Sequence, residues 1–350
     1  MVDVLRKWSV NPIRYGQSRG EPVFIEAVKD YYHKLGHKFV KDDNIQVTSG
    51  GSEGISIAMF ATCEPGDEII VFEPFYTNYN SYATVNGVKL IPVRTFEDTG
   101  FHLPGAKVIE KKISRKTKAI LITNPNNPTG TVLTKKEMEL IVSLAKKHNL
   151  YVISDETYRE YVYDGKKHVS LFDYMQKLPE RAIVLDSMSK RYSLCGARLG
   201  MFVSLNKEIM EGVLRIAQGR LSVGLIDQYM GAKLAEVEGS YLKNVHKEYQ
   251  KRRDILYQGL KKIPGVYLEK PEGAFYTVVK LPVKDSGKFC QWLLTSFRYK
   301  NETVMLAPAA GFYATSGLGK NEARIAYVLN TKDLEKAIEI LRRALIEYKG

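Results

Sequence analysis

Residues 119–156 begin with AILITNPNNPTG and end with YVISDE, and they form one strand–helix–strand unit. The run at 119–123 is continuously apolar, which is typical of a strand buried on both faces of a parallel sheet. A turn rich in asparagine and proline follows, and residues 134–137 have the pattern of a capping box at the start of a helix. A second strand at 151–154 ends at Asp155. This order predicts an α/β fold built on a parallel sheet.

Similar patterns outside this unit predict the remaining architecture. Short apolar runs predict strands at 45–48, 67–72, 89–93, 182–185, 199–203 and 323–327. Helical patterns predict helices at 22–32, 55–60, 207–218, 226–238, 241–262 and 334–345. We expect the helix at 241–262 to link two domains. The expected division is an N-terminal loop at 1–20, a large domain at 21–255 and a small C-terminal α/β domain at 256–350.

Composition limits the possible classes of protein. The 350 residues lack an apolar run of about 18 residues, and the first residues lack the apolar segment of a signal peptide. The three cysteines are odd in number, lie far apart and form no metal-ligand spacing. We therefore expect a cytoplasmic protein with no membrane association and no metal site.

The formal net charge of +13 could indicate a nucleic-acid-binding protein. However, the lysines and arginines are spread over the whole chain, with no basic tail or block. We expect no nucleic acid as partner. A simpler interpretation is that the positive charge suits an anionic cofactor and an acidic substrate.

The segment 187–200, SMSKRYSLCGARLG, follows a buried strand and has a poor composition for either a helix or a strand. Lys190 is its fourth residue, with Ser187 and Ser189 before it and Arg198 after it. Partial desolvation and a nearby cation both favour the free amine of a lysine, which is a nucleophile for carbonyl groups. Hydroxyl groups and an arginine are also what a phosphate group requires.

Residues 45–60 also indicate an anion site, because a strand, a turn of small residues and an apolar helix follow one another there. The turn also allows another reading, because Gly50–Gly54 satisfies Gly-x-Ser-x-Gly, the nucleophile elbow of serine hydrolases. Asp155 and His168 would then be the acid and base candidates. Fewer than 50 residues precede this elbow and no His-Gly-Gly oxyanion loop occurs, so the hydrolase is the weaker alternative.

Several segments together resemble the class I aminotransferases of fold type I, which use pyridoxal 5'-phosphate (PLP). The lysine segment matches Ser-x-Ser/Ala-Lys followed by arginine eight residues later, and 124–130 matches Asn-Pro-x-Asn-Pro-Thr-Gly. Residues 15–20 are similar to Tyr-Gly-x-x-x-Gly, and 271–276 to Pro-x-Gly-x-Phe/Tyr. The resemblance covers nearly the full chain. It implies a large domain with a mostly parallel mixed sheet flanked by helices, and a smaller C-terminal α/β domain.

The resemblance also implies roles for individual residues. Lys190 is expected to hold PLP covalently and to move a proton, and Asp155 to lie beside the pyridine nitrogen. Asn127 and Tyr158 are expected to bond the ring 3'-oxygen, with Tyr158 counted among the catalytic residues, and Tyr76 to stack on the ring. The phosphate is expected to be held by main-chain, hydroxyl and guanidinium groups of Gly51, Ser52, Glu53 (through its backbone N–H), Ser187, Ser189 and Arg198. Tyr15 is expected to reach the same phosphate from the other subunit, which implies a homodimer with shared active sites.

For the substrate, Arg324 is expected to bind the α-carboxylate, Asn127 is also expected to bind the substrate, and Arg220 could bind a distal carboxylate. The expected reaction moves an amino group between an amino acid and a 2-oxo acid, with aspartate and 2-oxoglutarate as the expected pair. An aromatic or alanine aminotransferase, or a PLP-dependent lyase of the same fold, remains an alternative. One departure from the family pattern is that this chain starts almost at the Tyr-Gly loop. We therefore expect a truncated or N-terminally shortened member.

Overall fold

The structure is a computed structural model that describes Arg6, Trp8 and residues 13–350. The strands in this part of the chain, numbered in order, are β1 (Ile45–Ser49), β2 (Glu68–Glu73), β3 (Lys89–Arg94), β4 (Thr117–Thr123), β5 (Tyr151–Asp155), β6 (Ala182–Ser187), β7 (Leu199–Ser204), β8 (Tyr276–Lys280), β9 (Ala307–Pro308) and β10 (Glu322–Ala326). Each strand predicted from an apolar run is present, with ends close to those expected.

The helices described are α1 (Pro22–Lys34), α2 (Gly50–Thr62), α3 (Asn78–Val85), α4 (Ala106–Glu110), α5 (Lys135–His148), α6 (Phe172–Met175), α7 (Met188–Arg191), α8 (Lys207–Gly219), α9 (Leu225–Lys233), α10 (Gly239–Leu260), α11 (Ser286–Thr295) and α12 (Thr331–Glu347). The capping box predicted for α5 is present, since Thr134 and Glu137 bond each other's backbone N–H groups. The helix predicted at 226–238 ends earlier, at Lys233, and continues as a 3₁₀ turn at 234–236.

The larger sheet has seven strands in the order β1-β7-β6-β5-β4-β2-β3. The strands from β2 to β6 pair in parallel, while β7 runs antiparallel to both β6 and β1. Strands β4 to β7 are buried along almost their whole length, as the continuous apolar runs predict. This sheet confirms the predicted α/β fold.

The pairing register brings several chain segments to one edge of the larger sheet. Thr123 at the end of β4 lies opposite Asp155 at the end of β5. Ser187 at the end of β6 pairs with Gly200 at the start of β7, and the end of β1 pairs with the same part of β7. Ligands of open α/β sheets bind at the carboxyl ends of the parallel strands. The candidate residues therefore meet where such a site is expected.

A second sheet of three antiparallel strands, in the order β8-β10-β9, packs against a separate apolar core. This core includes Phe289 of α11 and Leu341 of α12. Leu256 and Leu260, near the end of α10, also pack in it. No helix among residues 13–350 is both long and apolar enough to cross a bilayer.

Candidate active site

A cavity of about 370 Å³ opens at the strand ends of the larger sheet. Side chains from both sheets form its wall. The lining residues are Gly51, Ser52, Ile55, Tyr76, Thr123, Asn127, Asp155, Thr157, Tyr158, Ser187, Ser189, Lys190, Cys195, Arg198, Tyr276 and Arg324. The cavity therefore brings together most of the site residues that the sequence predicts, although they come from segments far apart in the chain.

Lys190 lies on α7, a single helical turn directly after β6. The expectation that this segment would form neither helix nor strand is wrong at this point. The Ser187 side chain accepts the Ser189 N–H at 3.1 Å and so caps the turn, while Tyr161 Oη donates to the Lys190 carbonyl at 2.8 Å. Within residues 13–350, no carboxylate lies within 4.0 Å of Lys190 Nζ, so the half-buried amine has no ion-pair partner there.

A cluster of charged side chains around Arg191, the residue after Lys190, holds the lysine turn in place. Arg191 donates from Nη2 to Asp186 Oδ2 at 2.6 Å and from Nε to Glu160 Oε1 at 3.1 Å. Its guanidinium also lies 3.9 Å from the centre of the Tyr31 ring. Asp186 and Arg191 are both buried, so their opposite charges compensate each other away from water, while Glu160 is partly exposed. The cluster thereby connects the lysine turn to the loop that follows β5.

Asp155 is almost fully buried at the end of β5, at 6% exposure. Its carboxylate accepts a hydrogen bond from Tyr79 Oη at 2.8 Å and another from the Thr157 N–H at 3.2 Å. Burial raises the pKa of the Asp155 carboxyl, while the bonds from Thr157 and Tyr79 act in the opposite direction. A cationic group bound beside Asp155 would favour its ionised form, as a protonated ring nitrogen would.

The N-terminus of α2 lines the same cavity as Lys190 and could serve as a cradle for an anion. Arg198 lies across this helix end, with Nη1 donating to the Cys195 carbonyl at 2.9 Å and Nη2 to the Ser49 carbonyl at 3.4 Å. The close approach requires Gly50, whose φ is +73° and whose added Cβ would lie 2.4 Å from Arg198 Nη2.

Free helix N–H groups, serine hydroxyls and a guanidinium are the donors that a phosphate group requires. Ser52 and Ser189 line this end of the cavity, as does Ser187, whose hydroxyl already donates within the protein, to Ser189 Oγ at 2.8 Å or to the Leu199 carbonyl at 3.1 Å. The donor set therefore fits the phosphate of PLP.

The opposite wall of the cavity carries Arg324, from β10 of the smaller sheet. Its Nη1 donates to Asn127 Oδ1 at 3.1 Å. The guanidinium carbon lies 4.5 Å from the centre of the Tyr276 ring and 5.0 Å from that of Phe312, so the guanidinium packs against two aromatic rings. Such a fixed, planar fork is suited to a carboxylate.

Three of the predicted residues do not line the cavity. Tyr15 is 77% exposed, on the loop before α1. The Glu53 carboxylate accepts the Ser49 N–H at the start of its helix and pairs with Arg220 Nε at 2.6 Å. Arg220 also donates to the Val47 carbonyl at 3.0 Å. Arg220 is therefore engaged by Glu53 and does not line the cavity of the single chain, and its expected role at a distal carboxylate stays a prediction.

Several lining residues had no role assigned from the sequence. Thr157 contacts Asp155 two residues away, which its position in the loop after β5 could have suggested. Tyr276 lies in the segment 271–276, but only the structure shows Tyr158 Oη donating to its hydroxyl at 3.4 Å. No pattern in the sequence predicts a site role for Ile55, Thr123 or Cys195. Ile55 is only an apolar helix residue, Thr123 only the end of a strand, and Cys195 only an isolated cysteine.

The residues proposed for a serine hydrolase do not assemble into a triad. Ser52 lies inside α2 instead of on a turn before it. His168 Nε2 contacts Glu156 Oε2 at 2.9 Å, and Asp155 is engaged by Tyr79. The base and acid of that alternative are thus held by other partners, and its nucleophile lies within a helix.

Comparison with known proteins agrees with this geometry. The sequence model of the family described as "Aminotransferase class I and II" matches residues 12–341. An aspartate aminotransferase of Pyrococcus horikoshii is 32% identical over 95% of this chain and 83% of its own length. An aromatic-amino-acid aminotransferase of Thermococcus litoralis is 30% identical over 93% of this chain and 82% of its own length.

Solved structures give the same result. The crystal structure of an aspartate aminotransferase from Thermotoga maritima has a TM-score of 0.87 and is 30% identical, covering 99% of this chain and 87% of that one. The match extends across both sheets and the cavity between them. The chain therefore belongs to the class I and II aminotransferases, and the enzyme is a transaminase.

Proposed function

We propose that this enzyme uses PLP to move an amino group between aspartate and 2-oxoglutarate. Members of its family use PLP, and several relatives are named aspartate aminotransferases. The observation that carries the proposal is the position of Lys190. This residue is half-buried, has no carboxylate partner in the described chain, and lines the same cavity as Asp155 and the cradle at α2.

The cofactor-holding residues follow from the donor set. The phosphate would be bound by the N-terminus of α2, the nearby serine hydroxyls and Arg198, as the matching charge and hydrogen-bonding chemistry suggests. Asp155 would hold the protonated ring nitrogen, since it is a buried carboxylate with no cationic partner among the described residues. Asn127 and Tyr158 would bond the ring oxygen, and Tyr76 would cover the ring face.

When bound, PLP supplies an electron sink that makes the Cα–H of an amino acid acidic. The chain's own contribution is to position and to move the proton. Lys190 Nζ acts as general base on the substrate Cα and then as general acid. The hydrogen bond from Tyr161 to the Lys190 carbonyl keeps the turn in place while the side chain moves.

Arg324 orients both substrates, because an amino acid and a 2-oxo acid each carry an α-carboxylate. Its planar fork can bind that carboxylate through two parallel hydrogen bonds, and Asn127 keeps the guanidinium in position. The two half-reactions therefore use one site in alternation, which predicts ping-pong kinetics.

An aromatic amino acid is the second candidate substrate, and one observation favours it. Within the described chain, the cations lining the cavity are Lys190, Arg198 and Arg324, and each already has a role. Among the residues that the structure describes, no further cation lines the cavity for a distal carboxylate, whereas Tyr76, Tyr158 and Tyr276 do line it. Aspartate would then need a cation from a second subunit or a rearranged Arg220.

A homodimer with shared active sites, acting in the cytoplasm, is part of the same proposal. The exposed Tyr15 supports it, because a tyrosine that is 77% exposed is available to a second copy of the chain. The three cysteines are free thiols, which is consistent with a reducing compartment.

The test is an absorption spectrum of the purified protein with PLP, followed by addition of single amino acids. We expect a visible band that aspartate, and less readily aromatic amino acids, converts to shorter wavelength, with recovery on adding 2-oxoglutarate. A protein that stays colourless with added PLP would rule out the cofactor. A band that responds to tyrosine but not to aspartate would select the second substrate.

A further inference from the structure

Glu73 is a fully buried carboxylate outside the cavity that no step of the reaction uses. It is the last residue of β2 and is 1% exposed. Its side chain accepts three hydrogen bonds from one loop of the C-terminal part of the chain: from the N–H groups of Ala314 and Thr315, each at 3.0 Å, and from Thr315 Oγ1 at 2.6 Å. A buried carboxylate with this many donors is held firmly in one position.

Two more hydrogen bonds join the same pair of segments. The Phe75 N–H donates to the Phe312 carbonyl at 2.9 Å, and Thr77 Oγ1 donates to the Gly311 carbonyl at 2.9 Å. Residues 73–77 are thus fixed to residues 311–315 by five bonds, three of which end on the Glu73 carboxylate. We call these two segments the Glu73 clamp.

The clamp connects the two walls of the cavity. The first segment includes Tyr76, which lines the cavity on the side of the larger sheet. The second includes Phe312, whose ring lies 5.0 Å from the Arg324 guanidinium. Tyr313 of the second segment also donates to Glu322 Oε2 at 2.6 Å, at the start of the strand that carries Arg324. Any shift of this loop would move the aromatic support of Arg324 relative to Tyr76.

We propose that Glu73 is a positioning residue. It would fix the distance between the Arg324 guanidinium, which binds the substrate carboxylate, and the side of the cavity that holds the cofactor. This inference rests on the proposed function. It goes further by making substrate affinity depend on a buried carboxylate that does not contact the substrate. The Glu73 carboxylate acts by ordering the loop 311–315 before a substrate arrives, which lowers the entropic cost of binding.

The test compares Glu73→Ala, Glu73→Gln and Thr315→Val with the unchanged enzyme, using PLP-loaded protein. For Glu73→Ala we expect KM to rise about tenfold, equivalent to about 1.4 kcal/mol, for both the amino acid and the 2-oxo acid. Its kcat should change by less than about threefold, and PLP affinity should be unchanged. Glu73→Gln keeps one oxygen for the two N–H groups and should restore most of the loss, and Thr315→Val should lie between the two.

The matched control is Glu68→Gln, at the opposite end of the same strand. Glu68 bonds the Ser114 hydroxyl at 2.5 Å, away from the cavity, so this variant should keep the original KM. An unchanged KM in Glu73→Ala would overturn the proposal. A parallel fall of kcat, PLP affinity and thermal stability in every Glu73 and Thr315 variant would also overturn it, since that result indicates a purely structural role.

Hydrogen exchange separates failure of this inference from failure of the proposed function. In the unchanged protein without substrate, the amides of Ala314 and Thr315 should be protected, and Glu73→Ala should remove that protection. An enzyme that shows this exchange pattern but no transamination would contradict the proposed function and not the clamp. Fast exchange of both amides in the unchanged protein would contradict the clamp itself, whatever the activity. If Glu73→Ala does not fold, the comparison of Glu73→Gln with Thr315→Val decides by the same criteria.

Discussion

Replacing Arg324 by lysine keeps the positive charge and removes the planar fork. A lysine ammonium cannot donate two parallel hydrogen bonds to one carboxylate, and it also loses the contact with Asn127 Oδ1 at 3.1 Å. One hydrogen bond to a charged group contributes about 1.5–3 kcal/mol. At about 1.4 kcal/mol for each factor of ten, kcat/KM should fall roughly 10- to 150-fold.

Steady-state kinetics with both substrates provides the assay. Because the amino acid and the 2-oxo acid share the α-carboxylate, kcat/KM should fall by a similar factor for each, with PLP affinity unchanged. Arg343→Lys is the matched control, since Arg343 is half-exposed on α12 and pairs with Glu339 far from the cavity. A change of less than threefold for either substrate, or a loss of PLP binding alone, would refute the assignment of Arg324.

Two further predictions concern the phosphate cradle and the pH dependence of stability. Gly50→Ala places a Cβ at φ +73° and 2.4 Å from Arg198 Nη2. The φ alone costs roughly 1–2 kcal/mol of backbone strain. The contact displaces Arg198 as well, so PLP affinity measured by titration should fall at least about tenfold. Gly36→Ala, at φ +99° with no atom within 4 Å of the new Cβ, should show the strain alone, and equal PLP affinities in the two variants would contradict the cradle. His102 has its pKa raised to about 9 by Glu137 and Glu272, so its stabilisation is complete below pH 6.5 and is lost as the pH rises through about 9. The free energy of unfolding in urea should therefore be lower at pH 10 than at pH 6 by on the order of 1 kcal/mol, a value already reduced for solvent screening. This contribution should be present in the unchanged protein and absent in His102→Gln. An identical loss in both proteins would reject the assignment.

The larger sheet could be predicted from the sequence because its strands are buried on both faces. Runs such as 119–123 and 182–185 are too apolar and too short for anything but central strands, and the ends of parallel strands must meet at one edge. The positions of Asp155 and Lys190 at that edge follow from the same argument. Their roles came from the motifs around them and not from the burial pattern.

Contacts between distant segments could not be predicted. The bond from Arg324 to Asn127 joins residues 197 positions apart, and nothing local to either residue indicates it. The helical turn at 188–191 depends on the Ser187 cap and on Tyr161, which override a weak local propensity. Likewise, the pairing of Arg220 with Glu53, 167 positions earlier, is visible only in three dimensions.

The most direct measurement is to load the protein with PLP, reduce it with borohydride and locate the modified lysine by peptide mass spectrometry. Reduction makes permanent any carbon–nitrogen bond between the cofactor aldehyde and a lysine amine. The account predicts one stoichiometric modification on Lys190, and none in Lys190→Ala. Modification spread over exposed lysines, with Lys190 unmodified, would contradict it.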